Sequence, residues 1–235
     1  MKDMMSFIAH EYFHHFNVKR IRPFELGPFN YDEGNRTSQL WISEGLTVYY
    51  EYIITRMAGI TSEDDLIASF AKHINHVENN AGRQKQSLVQ SSYNTWEDGP
   101  FGIDGETISY YQKGPLVGLI LDLSIRKATQ NRKSLDDVMR YLYNHYYLEL
   151  NRGFTDAEFQ QVCEQIAGSL LTDVFEYVHT TKQLEYNTYL KYGGLELVQS
   201  YDSKKGQKNY SIQRSRQPDD LQKKILNAWL RLDPS

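Results

Sequence analysis

Apolar side chains recur at helical spacing over most of the chain. In the first segment Met4, Ile8 and Tyr12 share one helical face, which predicts a helix over residues 3–17. The same periodicity predicts further helices over 40–58, 62–77, 107–128, 134–148, 155–168, 172–178 and 184–190. A succession of helices of this kind is typical of a mainly α fold.

Three of the predicted helices begin with a capping signal. Ser62, Ser134 and Thr155 are each followed by acidic residues, which the backbone N–H groups and the dipole at a helix N-terminus favour. Between the helices, proline, glycine and polar residues predict a long loop over 19–38. A second loop, over 79–105, has room for a helical stretch inside it.

The pattern changes at Gly193 and Gly194. Residues 195–199 and 209–214 alternate weakly on either side of a Lys/Gly turn, which predicts a hairpin, and a last helix is predicted over 218–230. The sequence therefore divides into a helical lobe, residues 1–192, and a tail, residues 193–235. The expected fold class is mainly α with a short β-prone C-terminal tail.

Composition excludes several classes of protein. The 235 residues carry 26 Lys and Arg against 30 Asp and Glu, a formal net charge of −4, so a nucleic-acid partner is not expected. The longest apolar run, 116–121, is too short to span a bilayer, and the single cysteine, Cys163, excludes a disulfide within the chain. We expect a soluble protein of the bacterial cytoplasm or periplasm, without a choice between them.

The first predicted helix carries the candidate chemistry. Its sequence His10-Glu11-Tyr12-Phe13-His14 matches H-E-x-x-H, in which both histidines lie one turn apart on one helix face and can reach one metal ion. Glu11 is offset from them and can contact a water beside the metal as a general base. The same pattern also occurs in amphipathic helices without a metal, so its context decides.

A catalytic zinc site requires a third protein ligand and one open position. Glu44 is the candidate, because a carboxylate among the apolar residues of the second predicted helix is usually paired or metal-bound. Glu51, two turns further on, either accepts a hydrogen bond from a liganding histidine or is an ordinary exposed side chain. A tyrosine can stabilise an oxyanion, but spacing alone selects neither Tyr110 nor Tyr111 among 18 tyrosines.

The motifs, taken in order, resemble the glycyl aminopeptidase family of zinc metallopeptidases, which belongs to the gluzincins. The likeness covers nearly all of residues 5–198, and its most specific stretches are HEYFHHFNVKRIRP, LWISEGLTVYY and YQKGPLVGLILDLSIR. This resemblance implies the helical lobe of a thermolysin-like catalytic domain. It also implies that a β-rich domain precedes the metal helix and that a PDZ-like module follows, so the chain is expected to be a fragment.

The resemblance also implies a role for each candidate residue. The family's ligands for one zinc ion correspond to His10, His14 and Glu44. Glu11 corresponds to the general base, and Tyr111 to the tyrosine of a Tyr-x-Lys-Gly motif that stabilises the tetrahedral intermediate. Glu51 corresponds to a glutamate that supports a liganding histidine.

The implied activity is hydrolysis of peptide substrates, as an aminopeptidase with a preference for an N-terminal glycine or alanine, although endopeptidase action stays open. The alternative is a metal-binding helical scaffold, inactive or truncated, that binds peptides or partner proteins. His73 and His76 lie three residues apart and offer a second metal pair, but a solvated helix face is the expected interpretation.

Overall fold

The computed structural model describes residues 2–204 and 206–231. Its first helices are α1 (Lys2–Phe13), α2 (Leu46–Met57), α3 (Glu63–Asn79), α4 (Leu88–Tyr93), α5 (Thr95–Asp98) and α6 (Tyr110–Ala128). They are followed by α7 (Leu135–Tyr141), α8 (Asp156–Ala167), α9 (Thr172–His179), α10 (Tyr186–Leu190), β1 (Leu195–Asp202), β2 (Gln207–Arg214) and α11 (Asp220–Trp229). A single two-stranded sheet is present among these described residues, so the expected mainly α fold class is confirmed.

The predicted helix starts are confirmed at their capping residues. The Ser62 hydroxyl accepts from the backbone N–H of Asp65, and the Asp65 carboxylate accepts from the backbone N–H of Ser62. Reciprocal pairs of the same kind begin α7 at Ser134 and α8 at Thr155. The short helices α4 and α5 are the helical stretch expected within the second loop.

The centre of the molecule is α6. All residues from Lys113 to Arg126 are buried, so this helix is enclosed on every side. It meets the start of α2 through two glycines: a Cβ on Gly45 would lie 2.7 Å from the Cα of Gly114. Since only glycine permits such an approach, the pair brings the beginning of α6 directly against the residues that precede α2.

The chain immediately before α2 departs from the sequence prediction. A regular helix was expected over 40–58, but residues Trp41–Gly45 form a π-helical turn, and the Leu46 N–H donates to the Trp41 carbonyl. The amide of Asn17 donates to the carbonyls of Ile42 and Ser43, at 2.9 and 3.0 Å. The turn is therefore stabilised by a residue far from it in sequence, which local propensity does not reveal.

The predicted first helix, over 3–17, ends earlier, at Phe13. Val18 has a positive φ of 101°, and the Ile21 N–H donates to the Phe16 carbonyl, so the chain turns away from the helix axis. The N–H of His14 still donates to the His10 carbonyl at 3.2 Å. The two histidines consequently keep their one-turn spacing although the helix is shorter than expected.

The C-terminal segment contains the predicted hairpin and the predicted last helix. Strands β1 and β2 pair antiparallel from Leu195 opposite Arg214 to Asp202 opposite Gln207. The side chain of Asn75 on α3 bonds both the N–H and the carbonyl of Tyr210, which fixes the hairpin to the helical part. The division of the chain at 192/193 stays a prediction, and residues 205 and 232–235 of the predicted tail lie outside the described residues.

Across the part of the chain that the structure describes, none of the helices combines the length and the apolar character that crossing a membrane requires.

Candidate active site

Three of the predicted site residues lie together between α1 and the π-helical turn. The Nε2 atoms of His10 and His14 are 3.1 Å apart, and Glu44 Oε2 is 3.4 Å from the first and 3.2 Å from the second. The ligand atoms of all three residues fall within 4.8 Å of one another. Their side chains are only 11, 19 and 20% exposed, so the cluster is half-buried at the surface of the lobe.

The far nitrogen of each histidine ring is also held. His10 Nδ1 lies 3.2 Å from Glu51 Oε2, and the Ser6 hydroxyl donates to the other oxygen of that carboxylate. His14 Nδ1 lies 3.1 Å from the backbone carbonyl of Asn17. These contacts leave the two Nε2 atoms directed at Glu44, because a ring nitrogen that donates to a carboxylate or carbonyl fixes the orientation of the imidazole.

The charges of the cluster shift its pKa values in opposite directions. Burial disfavours the charged form of His10, but hydrogen bonds and charges from Glu44 and Glu51 outweigh it and raise its pKa to about 9. The pKa of His14 is also raised, again against the effect of burial, mainly by Glu44. Burial opposes ionisation of Glu44, but its contacts with both histidines and Tyr111 lower its pKa to about 2. The carboxylate is therefore ionised under ordinary conditions.

Tyr111 lies in the first turn of α6 and contacts the cluster. Its hydroxyl donates to Glu44 Oε2 at 2.8 Å, and its ring stacks on that of His10 with centroids 6.2 Å apart. Burial and the charge of Glu44 raise the pKa of Tyr111 well above its ordinary value, so the hydroxyl keeps its proton. Between the two tyrosines left open by spacing, only Tyr111 is in contact with the cluster, since Tyr110 bonds instead to Thr95 at 3.0 Å.

Glu11 lies between the two histidines on the exposed face of α1. Its charge is close enough to contribute to the raised pKa of Tyr111. The arrangement thus presents a carboxylate and a phenol hydroxyl around the three clustered ligand atoms. Such an arrangement can move a proton and donate a hydrogen bond to a developing negative charge.

Two residues near the site have roles that the sequence did not indicate. Asn17 connects the end of α1 to the π-helical turn that carries Glu44, and nothing in its sequence context marks it apart from other loop asparagines. The expected solvated face is wrong for His73, which is 7% exposed. Its Nδ1 lies 2.7 Å from Gln112 Oε1 and its Nε2 lies 2.9 Å from the Tyr52 hydroxyl, so both ring nitrogens have protein partners.

Two comparisons with known proteins found similarity to aminopeptidases. The sequence model of the M61 glycyl aminopeptidase family matches residues 3–117, a segment that contains every candidate site residue. The crystal structure of an aminopeptidase N family protein from Idiomarina loihiensis is similar to this chain, with a TM-score of 0.79 and 26% sequence identity. The similarity covers 85% of this chain and 35% of that one. No curated protein matches.

The fold is therefore similar to that of part of an aminopeptidase N family protein. The chain resembles the M61 glycyl aminopeptidase family over residues 3–117. It spans about a third of the length of the similar aminopeptidase N family structure.

Proposed function

We propose that the chain binds one zinc ion through His10, His14 and Glu44 and hydrolyses peptide bonds that follow a small N-terminal residue. The proposal rests on one observation: two imidazole nitrogens and one carboxylate oxygen converge on a single point. Two nitrogens and one oxygen are a ligand set that zinc accepts, with a fourth position left open for catalysis. The similarity of residues 3–117 to a peptidase family supports the same reaction.

Zinc bound in such a site supplies a water activated for attack and a polarised scissile carbonyl. Glu11 takes the proton of the attacking water and later delivers it to the leaving amine. Its place on the exposed face of α1 gives its carboxylate access to substrate, while the neighbouring histidines turn inward.

Tyr111 stabilises the oxyanion that forms when the carbonyl is attacked. Its hydroxyl carries a proton to donate, because burial and Glu44 hold its pKa high. In the described structure that hydrogen bond goes to Glu44, so the hydroxyl already faces the ligand cluster. A donor of this kind contributes about 2.7–4 kcal/mol to lowering a barrier.

The preference for glycine or alanine at the N-terminus of the substrate comes from the family resemblance. Because the chain covers only 35% of the similar aminopeptidase N family structure, activity of this chain by itself belongs to the proposal.

The test is a comparison of the wild-type chain with Glu11→Gln. We expect about one zinc ion per chain in both proteins, measured by elemental analysis, and a loss of about 10²–10⁴-fold in kcat for Gly-Ala-amide in the variant. Glu185→Gln, which removes an exposed carboxylate just before α10, serves as the matched control.

Full activity of Glu11→Gln would overturn the assigned base, and a folded wild-type chain that takes up no zinc would overturn the metal site. A chain that holds zinc and binds Gly-Ala-amide without cleaving it would favour the binding scaffold.

A further inference from the structure

Phe101 is a large apolar side chain that is 72% exposed although it lies beside the candidate site. Its ring contacts that of Tyr111, with centroids 5.6 Å apart and a tilt of 34°. Tyr111 also stacks on His10, so Phe101 is only one ring removed from the ligand cluster. A single exposed phenylalanine needs no explanation elsewhere on a surface, but here it borders the place where substrate would lie.

The loop that carries Phe101 is built to hold it there. Gly99 and Gly102 have φ values of 73° and 71°, and the Gly102 N–H donates to the Gly99 carbonyl at 3.3 Å, so Phe101 is presented by a tight turn. A Cβ on Gly102 would lie 2.8 Å from the backbone of Ile108, which shows how closely the loop packs on the segment before α6.

Ser109 ties this turn to the beginning of α6. Its hydroxyl donates to the Pro100 carbonyl at 2.8 Å and accepts from the Tyr111 N–H at 3.1 Å. The positions of Phe101 and Tyr111 are consequently coupled through one side chain. A rigid aromatic ring supplies apolar contact area at a small cost in conformational entropy, which suits it to bind a substrate side chain.

We propose that Phe101 is a specificity-determining residue that forms an apolar wall for the substrate side chain immediately after the scissile bond. This inference rests on the proposed function. A first residue of glycine or alanine has no side chain long enough to reach such a wall, so the contact falls to the second residue. The oxyanion that Tyr111 would bind belongs to the first residue, which places the second residue nearby. The substrates favoured are peptides with leucine or phenylalanine in second position.

The experiment compares zinc-loaded wild type with Phe101→Ala on Gly-Phe-amide and Gly-Gly-amide. We expect the ratio of kcat/KM for the two amides to fall by about tenfold or more in the variant, the size of effect that an apolar contact produces. Phe101→Tyr keeps the ring and should keep most of the wild-type ratio. Tyr201→Ala removes another exposed aromatic ring, 68% exposed on the hairpin, and should leave the ratio unchanged.

An unchanged ratio in Phe101→Ala would overturn the inference, and so would an equal fall in Tyr201→Ala. Phe-Gly-amide is assayed as a third substrate, and a loss confined to it would also overturn the inference, because the wall would then serve the first residue. Dissociation constants for the same amides are measured separately by calorimetry in Glu11→Gln and in Glu11→Gln with Phe101→Ala. If these constants differ while the wild-type chain cleaves none of the amides, the proposed hydrolysis is wrong and the proposed binding role of Phe101 is supported.

Discussion

Around Asp122 and around Glu44 a carboxylate meets several polar side chains, but the partners differ in kind. The Asp122 network consists of Asp122, Arg126, Tyr49 and Trp229, whose indole N–H donates to the Tyr49 hydroxyl at 3.2 Å. Asp122 Oδ1 accepts from the Leu135 N–H at 2.7 Å, and Oδ2 accepts from the Tyr49 hydroxyl and from Arg126 Nε, both at 2.9 Å. Each of these contacts joins a donor to an acceptor.

The Glu44 cluster, made of Glu44, His10 and His14, does not pair in this way. The two Nε2 atoms face each other at 3.1 Å, and the same carboxylate oxygen lies within 3.4 Å of both. Without a metal, a proton on His10 pairs with Glu44 and Glu51. When both histidines are neutral and carry their proton on Nδ1, the two Nε2 lone pairs point toward the same place as the carboxylate oxygen. Such a point is where a cation would be stabilised by all three residues.

Burial follows the same division. The side chains of Asp122 and Arg126 are 2% and 5% exposed, whereas that of Glu44 is 20% exposed. A sealed and fully paired group contributes to one folded structure, and a half-open group of converging lone pairs is available to a ligand. The matching of donors to acceptors therefore distinguishes a structural network from a candidate binding site better than the number of charged residues does.

The largest expected effect is a difference in the free energy of unfolding between variants of the Asp122 network and of the Glu44 cluster. Asp122→Asn leaves Arg126 buried without its counter-charge, and we expect a loss of about 3–5 kcal/mol in the free energy of unfolding. Glu44→Gln, the matched change in metal-free protein, should cost less, about 1–2 kcal/mol, because both histidine partners can release a proton and leave no buried charge behind. Urea denaturation of both variants measures the difference. Equal losses would contradict the comparison.

Local sequence was enough to predict what depends on local contacts. The helix starts at Ser62 and Thr155 follow from hydrogen bonds that span three residues, and the one-turn spacing of His10 and His14 survives even though α1 ends at Phe13. The third member, Glu44, could be proposed from its apolar surroundings and from the family resemblance, and it does lie beside both histidines.

Contacts made across the fold could not be predicted in the same way. The π-helical turn that carries Glu44 depends on the Asn17 amide, which reaches it from the end of α1. A solvated helix face is the sequence-based expectation for His73, but Tyr52 and Gln112 cover it from α2 and α6. Burial of this kind is decided by how three helices pack, and the pattern within one helix does not contain it.

His73, like Asp122, is a buried titratable group whose polar atoms have hydrogen-bond partners, here Tyr52 and Gln112. Burial, together with the charges of His76 and Lys72, lowers the pKa of His73 to about 4 although the hydrogen bond with Gln112 opposes the shift. The unfolded chain keeps a pKa near 6.5. Between these pH values the unfolded state binds the proton and the folded state does not, so stability is lost as pH falls from 6.5 to 4. The loss attributable to His73 approaches about 3 kcal/mol.

We therefore expect the stability difference between wild type and His73→Gln to shrink between pH 7 and pH 4, measured by urea denaturation at each pH. Ala68→Gln, at an exposed position of the same helix, changes no titratable group, so it is the matched control and should give a curve parallel to wild type. A difference between wild type and His73→Gln that stays constant over this range would show that His73 is not held neutral by its surroundings.

The smallest expected effect is on zinc affinity and comes from the contact between Glu51 and His10. Glu51→Gln removes the charge that faces His10 Nδ1 at 3.2 Å while keeping the shape of the side chain. Partners of a liganding histidine typically contribute about 10–100-fold to metal affinity, so we expect a loss of about that size in zinc competition with a chelating dye.

The chain offers a matched control, because Glu149 lies 2.7 Å from His145 Nδ1 in an exposed pair of the same chemistry. Glu149→Gln should leave zinc affinity unchanged. If both variants lowered affinity alike, the effect would come from net charge, and the contact between Glu51 and His10 would have no separate part in holding the metal.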